Sequence, residues 1–301
     1  MYLYSVKMTL NLDIRVLSRV LSSALRTFLV FLSPVIFSTL CFSGCQEKEN
    51  HEIRNDFKKY YDKYNVRGSF VFFDEQKNKF LYYNEKQCTE PFSPASTFKI
   101  LNSLIGLETG VIKDIHFVLP WDSIKRNEVW DKNHDLKSAF SNSVVWYYQE
   151  LASRVGFEEM KKWLYKSNYG NNDMSGGVDK FWLSGGLQIS PKQQIEFLRR
   201  FYNYELPFKK KNIDIVKEIM VVNKTADFVL SAKTGWGVHG QMDVGWYVGY
   251  LEKNNNIYYF ANCVQMDSVL LANTANVLGF DQARKEIVHL ILNELDLING
   301  F

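Results

Sequence analysis

Two residue types that could work together in catalysis, Ser96 and Lys99, stand three positions apart in the segment FSPASTFKIL. A helix turns by about 100° per residue, so the two side chains would share one face and lie within reach of each other. A serine hydroxyl is a weak nucleophile until a base removes its proton. A lysine can be that base when burial lowers its pKa or when its amine is chemically altered. The apolar neighbours Phe98 and Ile100 favour such burial, but strings of this kind also occur by chance.

Three more short motifs follow in the chain: SVV at 143–145, YGN at 169–171 and KTG at 233–235. Each has a simpler interpretation when it is taken alone. Ser143 could cap the helix that follows it, and YGN could shape a turn. The joint occurrence of all the motifs in this order by chance is improbable, and together they indicate one serine-based active site.

With these motifs the chain resembles the class D (oxacillinase-type) serine β-lactamases of the penicillin-recognising serine hydrolase family. The segments WDKNHDLKSAF, FWLSGGLQIS and VGWYVGYLE carry the same resemblance, which extends from about Arg67 to Ile291. The resemblance implies hydrolysis of the β-lactam ring of penicillin-type antibiotics through a serine acyl-enzyme, and hence antibiotic resistance. It implies no metal and no cofactor apart from a carbamate derived from CO2.

The resemblance assigns roles to four polar residues. Ser96 would be the acylated nucleophile. Lys99 would carry the carbamate, as N6-carboxylysine, and act as general base in both acylation and deacylation; a carbamate needs a neutral amine and a dry pocket. Ser143 would relay a proton to the leaving nitrogen, and Lys233 would supply positive charge to that nitrogen and to the substrate carboxylate.

The same resemblance implies a carbamate pocket and an oxyanion hole. Trp182 of FWL would hold the carbamate, although an isolated tryptophan is more often part of a core. The apolar walls of the pocket would be Phe98, Val144 and Leu183. The oxyanion hole would consist of the backbone N–H groups of Ser96 and Trp236, the first of which lies at a helix start where such groups are unpaired.

The substrate carboxylate would be bound by Thr234 and Gly235 of KTG, together with an arginine that family members commonly place near the last helix. The position aligned with that arginine holds Asp281, and Arg284 follows one helical turn later. Arg284 could take the role from a shifted register, or the carboxylate could depend on Thr234 and Lys233. The simpler interpretation of Arg284 is an exposed helix arginine.

Hydrophobic periodicity predicts the elements that would position these residues. Alternating and β-branched runs favour strands near both ends of the chain, and helical spacing dominates the middle. The predicted strands cover 68–76, 79–84, 227–237, 243–253 and 257–266. The predicted helices cover 57–65, 95–109, 144–156, 157–167, 191–203 and 280–295. We therefore expect an α+β fold: a central antiparallel sheet built from N- and C-terminal strands, flanked by helices, with a mostly helical lobe. The resemblance implies that this fold is of the β-lactamase/transpeptidase type.

The N-terminus has the layout of a secretory signal, because arginines precede an apolar run of roughly 15 residues that ends in small residues. The final FSGC resembles a bacterial lipobox, in which Cys45 would be lipidated and anchor the protein to a membrane. An uncleaved anchor is the weaker alternative, since the run is short and contains Pro34. The predicted organisation is a lipoprotein-type signal peptide at 1–44, a tether and first helix at 45–66, and a catalytic domain at 67–301, exported to the periplasm.

The overall composition indicates which kinds of molecule the protein binds. A net charge of +3 with 23% charged residues gives no reason to expect nucleic acid binding, and nothing implies a protein partner. We expect β-lactam small molecules as the substrates. Two rival functions share the motifs: a β-lactam sensor that keeps its acyl-enzyme, and a cell-wall transpeptidase or carboxypeptidase. A single apolar run without an H-E-x-x-H motif favours the enzyme over the sensor, and FWL and YGN favour it over the transpeptidase.

Overall fold

A computed structural model describes residues 49–272 and 274–299, so the predicted signal peptide at 1–44 and Cys45 lie outside the described residues. The strands are β1 (His51–Ile53), β2 (Arg67–Asp74), β3 (Lys79–Tyr83), β4 (Val221–Lys224), β5 (Phe228–His239), β6 (Met242–Lys253) and β7 (Asn256–Asp267). The helices are α1 (Lys58–Lys63), α2 (Glu85–Cys88), α3 (Lys99–Glu108), α4 (Leu136–Ser141), α5 (Val145–Val155), α6 (Phe157–Ser167), α7 (Pro191–Tyr202), α8 (Lys210–Met220), α9 (Ser268–Leu271) and α10 (Thr274–Glu294). None of these helices combines the length and the apolar character needed to span a membrane.

The strands form one seven-stranded sheet in the order β1-β3-β2-β7-β6-β5-β4. Strands from both ends of the chain build it, and helices fill the middle of the sequence, so the predicted α+β fold is confirmed. The sheet is antiparallel except at one edge, where β1 runs parallel to β3. The sequence does not predict the edge strands β1 and β4, because three and four residues are too few to show a period. Strand β1 and helix α1 both lie in the segment predicted as tether and first helix, 45–66.

Each face of the sheet packs into its own hydrophobic core. In β2, Val71 and Phe73 belong to one core, and Phe70 and Phe72 belong to the other. Helix α10 joins the second core through residues such as Phe280, whereas helices α3 to α8 contribute to the first. Because both faces are covered, β2 is a continuous apolar run instead of an alternating one.

Capping boxes determine where two helices next to the active site begin. The Ser190 hydroxyl accepts from the backbone N–H of Gln193, whose side chain bonds back to Ser190, and the same arrangement starts α4 at Asp135. The start of α7 turns the next residue, Gln194, into the core, where it is fully buried. These local signals position helix faces that support the site.

Candidate active site

The candidate nucleophile Ser96 lies in a 3₁₀ turn, Ala95–Phe98, that leads into α3. The sequence predicts one helix over 95–109, whereas the α-helix begins only at Lys99. Ala95 has a φ of 47°, a left-handed conformation that costs a non-glycine residue on the order of 1 to 3 kcal/mol. Ser96 is 9% exposed and Lys99 is fully buried, with its Nζ 2.7 Å from Ser96 Oγ. The strained turn thus holds the serine where a substrate can reach it, with the lysine behind it.

Burial governs the charge of Lys99. Removal from water lowers the pKa of its amine well below the ordinary value, and the positive charge of Lys233 lowers it further. No carboxylate of the described residues is among the groups that shift this pKa. The ring of Tyr148 lies 5.3 Å from Nζ. A neutral amine at hydrogen-bond distance from the Ser96 hydroxyl can accept its proton.

Ser143 and Lys233 meet in the site although they are 90 residues apart: the Lys233 Nζ donates to Ser143 Oγ at 3.1 Å. The Thr234 hydroxyl lies 3.4 Å from the same Nζ. The N-cap residue of α5 is Val144, so the interpretation of Ser143 as a helix cap is wrong. Burial lowers the pKa of Lys233 to about 7, and the positive charge of Arg284 makes a smaller contribution in the same direction. The charge of Lys233 therefore changes near neutral pH.

The four residues predicted to form the carbamate pocket lie in one apolar cluster. Phe98 stacks on Trp182 with ring centroids 5.4 Å apart. Trp182 and Val144 are fully buried, and Leu183 packs against the same core. The indole N–H of Trp182 has no hydrogen-bond partner among the described residues. A buried donor without a partner is unfavourable, so this N–H is suited to an acceptor that is added to the pocket.

The KTG segment lies on β5 against the nucleophile turn. A Cβ at Gly235 would stand 3.0 Å from the Pro94 carbonyl oxygen and 3.2 Å from both Thr97 Cγ2 and Trp246 Cβ, so glycine allows this close approach without displacing a neighbour. Strand β4 pairs with β5 only as far as Ser231. Within the described ranges, the outer edge of β5 that includes Trp236 is therefore not covered by a strand.

Arg284 does not lie on the exposed side of α10. Its side chain is buried, and Nη1 donates a 2.7 Å hydrogen bond to the Gly235 carbonyl. The guanidinium carbon is 5.3 Å from the centroid of the Trp236 ring, and Nη2 donates to the Asp281 carboxylate. Burial lowers the pKa of Arg284 to about 10. The interpretation as an exposed helix arginine is wrong, and the structure places this cation directly behind the KTG segment.

A buried hydrogen-bond network that the sequence does not predict joins YGN to the nucleophile turn. Gln194 Nε2 donates to Thr97 Oγ1 at 2.9 Å and lies 3.5 Å from the Tyr169 hydroxyl. Thr97 in turn donates to the Pro94 carbonyl at 2.7 Å. Burial raises the pKa of Tyr169, so its hydroxyl keeps its proton. Tyr169 thus supports the turn through Gln194, and no local signal in the sequence marks that glutamine.

Among the described residues, the remaining ligand-type side chains do not gather into a second centre. Across residues 49–272 and 274–299, no three His, Cys, Asp or Glu side chains are grouped as they would be around a metal ion. Cys88 and Cys263 are buried free thiols, and burial raises the pKa of each. These thiols are therefore neutral.

Comparisons with known proteins show the family. The family model of the penicillin binding protein transpeptidase domain matches residues 57–279. Beta-lactamase OXA-48 of Klebsiella pneumoniae is 39% identical over 231 residues, which cover 76% of this chain and 85% of that protein. Regulatory protein BlaR1 of Bacillus licheniformis is 38% identical over 212 residues, which cover 70% of this chain and 35% of that protein. The crystal structure of a class D β-lactamase from Sebaldella termitidis matches with a TM-score of 0.78 and 36% identity, covering 83% of this chain and 100% of that one. The chain therefore belongs to the class D β-lactamases, enzymes of the penicillin-binding transpeptidase family.

Proposed function

We propose that this β-lactamase opens its substrates by forming an acyl-enzyme on Ser96, with Lys99 as the base that activates the serine. The observation that carries the proposal is the 2.7 Å separation of Ser96 Oγ and Lys99 Nζ. Burial lowers the pKa of the amine, so that it can act as a proton acceptor. The result of the reaction would be inactivation of penicillin-type antibiotics.

In the acylation step, Ser96 Oγ attacks the carbonyl carbon of the β-lactam ring and its proton passes to the base at Lys99. The Oγ–C bond forms, and then the C–N bond of the ring breaks. Ser143 gives a proton to the departing nitrogen and regains one from Lys233, whose Nζ is 3.1 Å from its hydroxyl. Lys99 then releases its proton to solvent and Lys233 regains one from solvent. Water attacks the ester, its OH bonds to the acyl carbon as the Oγ–C bond breaks, and Ser96 Oγ takes the other proton, which releases the ring-opened product.

Negative charge must be stabilised at two places: the oxyanion that develops during the reaction and the carboxylate that the substrate already carries. We assign the oxyanion to the backbone N–H groups of Ser96 and Trp236, because β5 packs against the nucleophile turn. We assign the substrate carboxylate to Thr234 and Gly235. Arg284 donates to the Gly235 carbonyl from the other side, so it contributes positive charge behind the strand.

We further propose that Lys99 combines with dissolved CO2. A neutral amine attacks CO2, forms an N–C bond and loses a proton to solvent, and burial keeps the Lys99 amine neutral. The unpartnered indole N–H of Trp182 fits as a donor to the added group. Its apolar walls would be Phe98, Val144 and Leu183. Once present, the carbamate would supply a carboxylate base suited to activating water in deacylation.

Turnover of a chromogenic cephalosporin by the purified protein, with and without added bicarbonate, tests the proposal. We expect many turnovers per enzyme and a higher rate with bicarbonate. Ser96→Ala should remove turnover. Trp182→Phe, which keeps an aromatic ring but removes the N–H donor, should increase the bicarbonate requirement. A single stoichiometric acylation of the natural chain, with no further turnover, would refute hydrolysis.

A second candidate function is β-lactam sensing, which the 38% identity to a protein named as regulatory favours. A sensor would use the same serine and lysines but would hold the acyl group. The rate at which the acylated protein loses its label therefore separates the two functions. We expect loss within the time of catalysis, whereas a label that persists for hours would support the sensor.

We also propose that the protein is exported to the periplasm and anchored to a membrane through a lipid on Cys45. Only the sequence supports this: arginines precede an apolar run that ends in FSGC. Mass spectrometry of protein extracted from membranes should find Cys45 as the modified first residue. Cys45→Ala should prevent both the modification and the cleavage. An unmodified Cys45 in the natural protein would contradict the anchor.

A further inference from the structure

The irregular segment between α6 and α7, residues 168–190, carries Trp182 and is attached to the residues just before the nucleophile turn. Phe92 and Ile189 exchange two backbone hydrogen bonds, of 3.0 Å and 2.8 Å. This pair holds only the end of the segment that is far from Trp182 in sequence. Within the segment, the Leu183 N–H donates to the Lys180 carbonyl at 2.8 Å, which ties the Trp182–Leu183 peptide to its own turn. A restraint that ties Trp182 to the nucleophile turn has to come from another contact.

That contact is the hydroxyl of Ser93, a residue that the sequence does not single out. Ser93 is buried, and its Oγ lies 3.1 Å from the carbonyl oxygen of Trp182 and 3.2 Å from that of Leu183. A serine hydroxyl has one hydrogen, so the two carbonyls share it. The Ser93 carbonyl accepts a 2.9 Å hydrogen bond from the indole N–H of Trp246, which fixes Ser93 to the central sheet.

The restraint on the Trp182 backbone sets the direction of its indole. The ring packs on Phe98, the residue before Lys99, and the buried N–H has no partner among the described residues. A donor forms a good hydrogen bond to an acceptor on a neighbouring side chain only when the donor–acceptor distance lies within a range of a few tenths of an ångström. If the hydrogen bonds from Ser93 to the Trp182 and Leu183 carbonyls were lost, the ring could keep its apolar contacts while the indole N–H no longer pointed at the acceptor.

We propose that Ser93 is a positioning residue for the carbamate on Lys99: by holding the Trp182–Leu183 peptide, it raises the affinity of Lys99 for CO2. This inference rests on the proposed function. Ser93 does not touch the reacting atoms, and it acts through Trp182. A merely structural hydroxyl would contribute to stability and leave the affinity for CO2 unchanged.

Bicarbonate titration of Ser93→Ala tests the inference. We expect the bicarbonate concentration for half-maximal turnover to rise by about twofold to tenfold, the range that one net hydrogen bond supports. The carbamate carbon signal, followed by NMR with ¹³C-labelled bicarbonate, should titrate in parallel. At saturating bicarbonate the turnover rate should approach that of the natural enzyme.

Thr109→Ala is the matched control, because the Thr109 hydroxyl also donates to a backbone carbonyl, that of Ile105 at 2.8 Å, at the far end of α3. It should leave the bicarbonate requirement unchanged. Ser93→Cys retains a weak donor of similar size, should give an intermediate shift, and decides the question if Ser93→Ala does not fold.

An unchanged bicarbonate requirement in a folded Ser93 variant, when the natural enzyme shows the carbamate signal, would overturn this inference and leave the proposed function intact. Absence of the carbamate signal from the natural enzyme would overturn the carbamate proposal and this inference together. Loss of thermal stability alone would mark Ser93 as merely structural, and so would also overturn the inference.

Discussion

The contact between β5 and the nucleophile turn can be tested by adding one methyl group at Gly235. In Gly235→Ala, the new Cβ would lie 3.0 Å from the Pro94 carbonyl oxygen and 3.2 Å from Thr97 Cγ2. Pro94 and Thr97 belong to the chain around Ser96, and Thr97 is held by Gln194. A third neighbour, Trp246 Cβ at 3.2 Å, belongs to β6. Much of the strain therefore falls on the segment that presents the nucleophile.

The size of the effect follows from these distances. Non-bonded carbons prefer about 3.5 to 4.0 Å, so Thr97 would have to retreat by roughly 0.3 to 0.8 Å from its 3.2 Å contact. Overpacking by one methyl group costs about 1 to 3 kcal/mol of stability. A misplacement of about 1 Å at a reacting group can reduce the rate roughly 100-fold, so we expect kcat/KM to fall roughly tenfold.

Steady-state hydrolysis of a chromogenic cephalosporin and thermal unfolding measure the two effects. With about 2 to 4 °C per kcal/mol for a domain of this size, Tm should fall by roughly 2 to 12 °C. The matched control is Gly279→Ala, where a Cβ would meet nothing within 4 Å and activity should not change. Full activity of Gly235→Ala would refute the reasoning, because it would show that the turn does not have to stay against β5.

Three further substitutions address the charged groups. Lys99→Ala should abolish turnover while circular dichroism shows an intact fold; near-normal deacylation would identify another base. Because the pKa of Lys233 is lowered to about 7, its positive charge is lost as the pH rises through that value, and kcat/KM should fall on the alkaline side. Lys233→Arg should move this fall to higher pH in the pH–rate profile, and an unmoved fall would exclude Lys233 as its cause. Arg284→Lys should raise KM for a penicillin more than it lowers kcat, because a lysine cannot make the forked contacts to both Gly235 and Asp281. Unchanged kinetics would contradict a role for Arg284 behind the strand.

The parts of the site that depend on local spacing could be predicted from the sequence. Ser96 and Lys99 stand on one short helical stretch, and their separation of three positions is enough to place the two functional atoms within hydrogen-bond distance. The fold class was equally accessible, since long apolar runs mark the central strands. The meeting of Ser143 with Lys233 across 90 residues came from the family resemblance and not from the pattern of either segment.

The supporting contacts could not be predicted, because they depend on how distant segments pack. Ser93 and Gln194 are uncharged polar side chains whose partners lie 89 and 97 residues away in sequence. The sequence is compatible with either a surface role or a site role for Arg284. Arginine is usually exposed, and only the tertiary fold buries this one against β5. The left-handed backbone of Ala95 is also invisible in the sequence, as alanine does not favour that conformation.

The burial of Lys99 has a further consequence, in which dissolved CO2 becomes a ligand of the folded state. In an unfolded chain the lysine regains its ordinary pKa, stays protonated at neutral pH and combines poorly with CO2. On the proposed function, mass action then stabilises the folded enzyme by RT ln(1 + [CO2]/Kd), about 0.4 kcal/mol when the concentration equals Kd and about 1.4 kcal/mol at ten times that value. The buried amine would therefore couple the resistance of the enzyme to heat, as well as its activity, to the carbon dioxide around the cell.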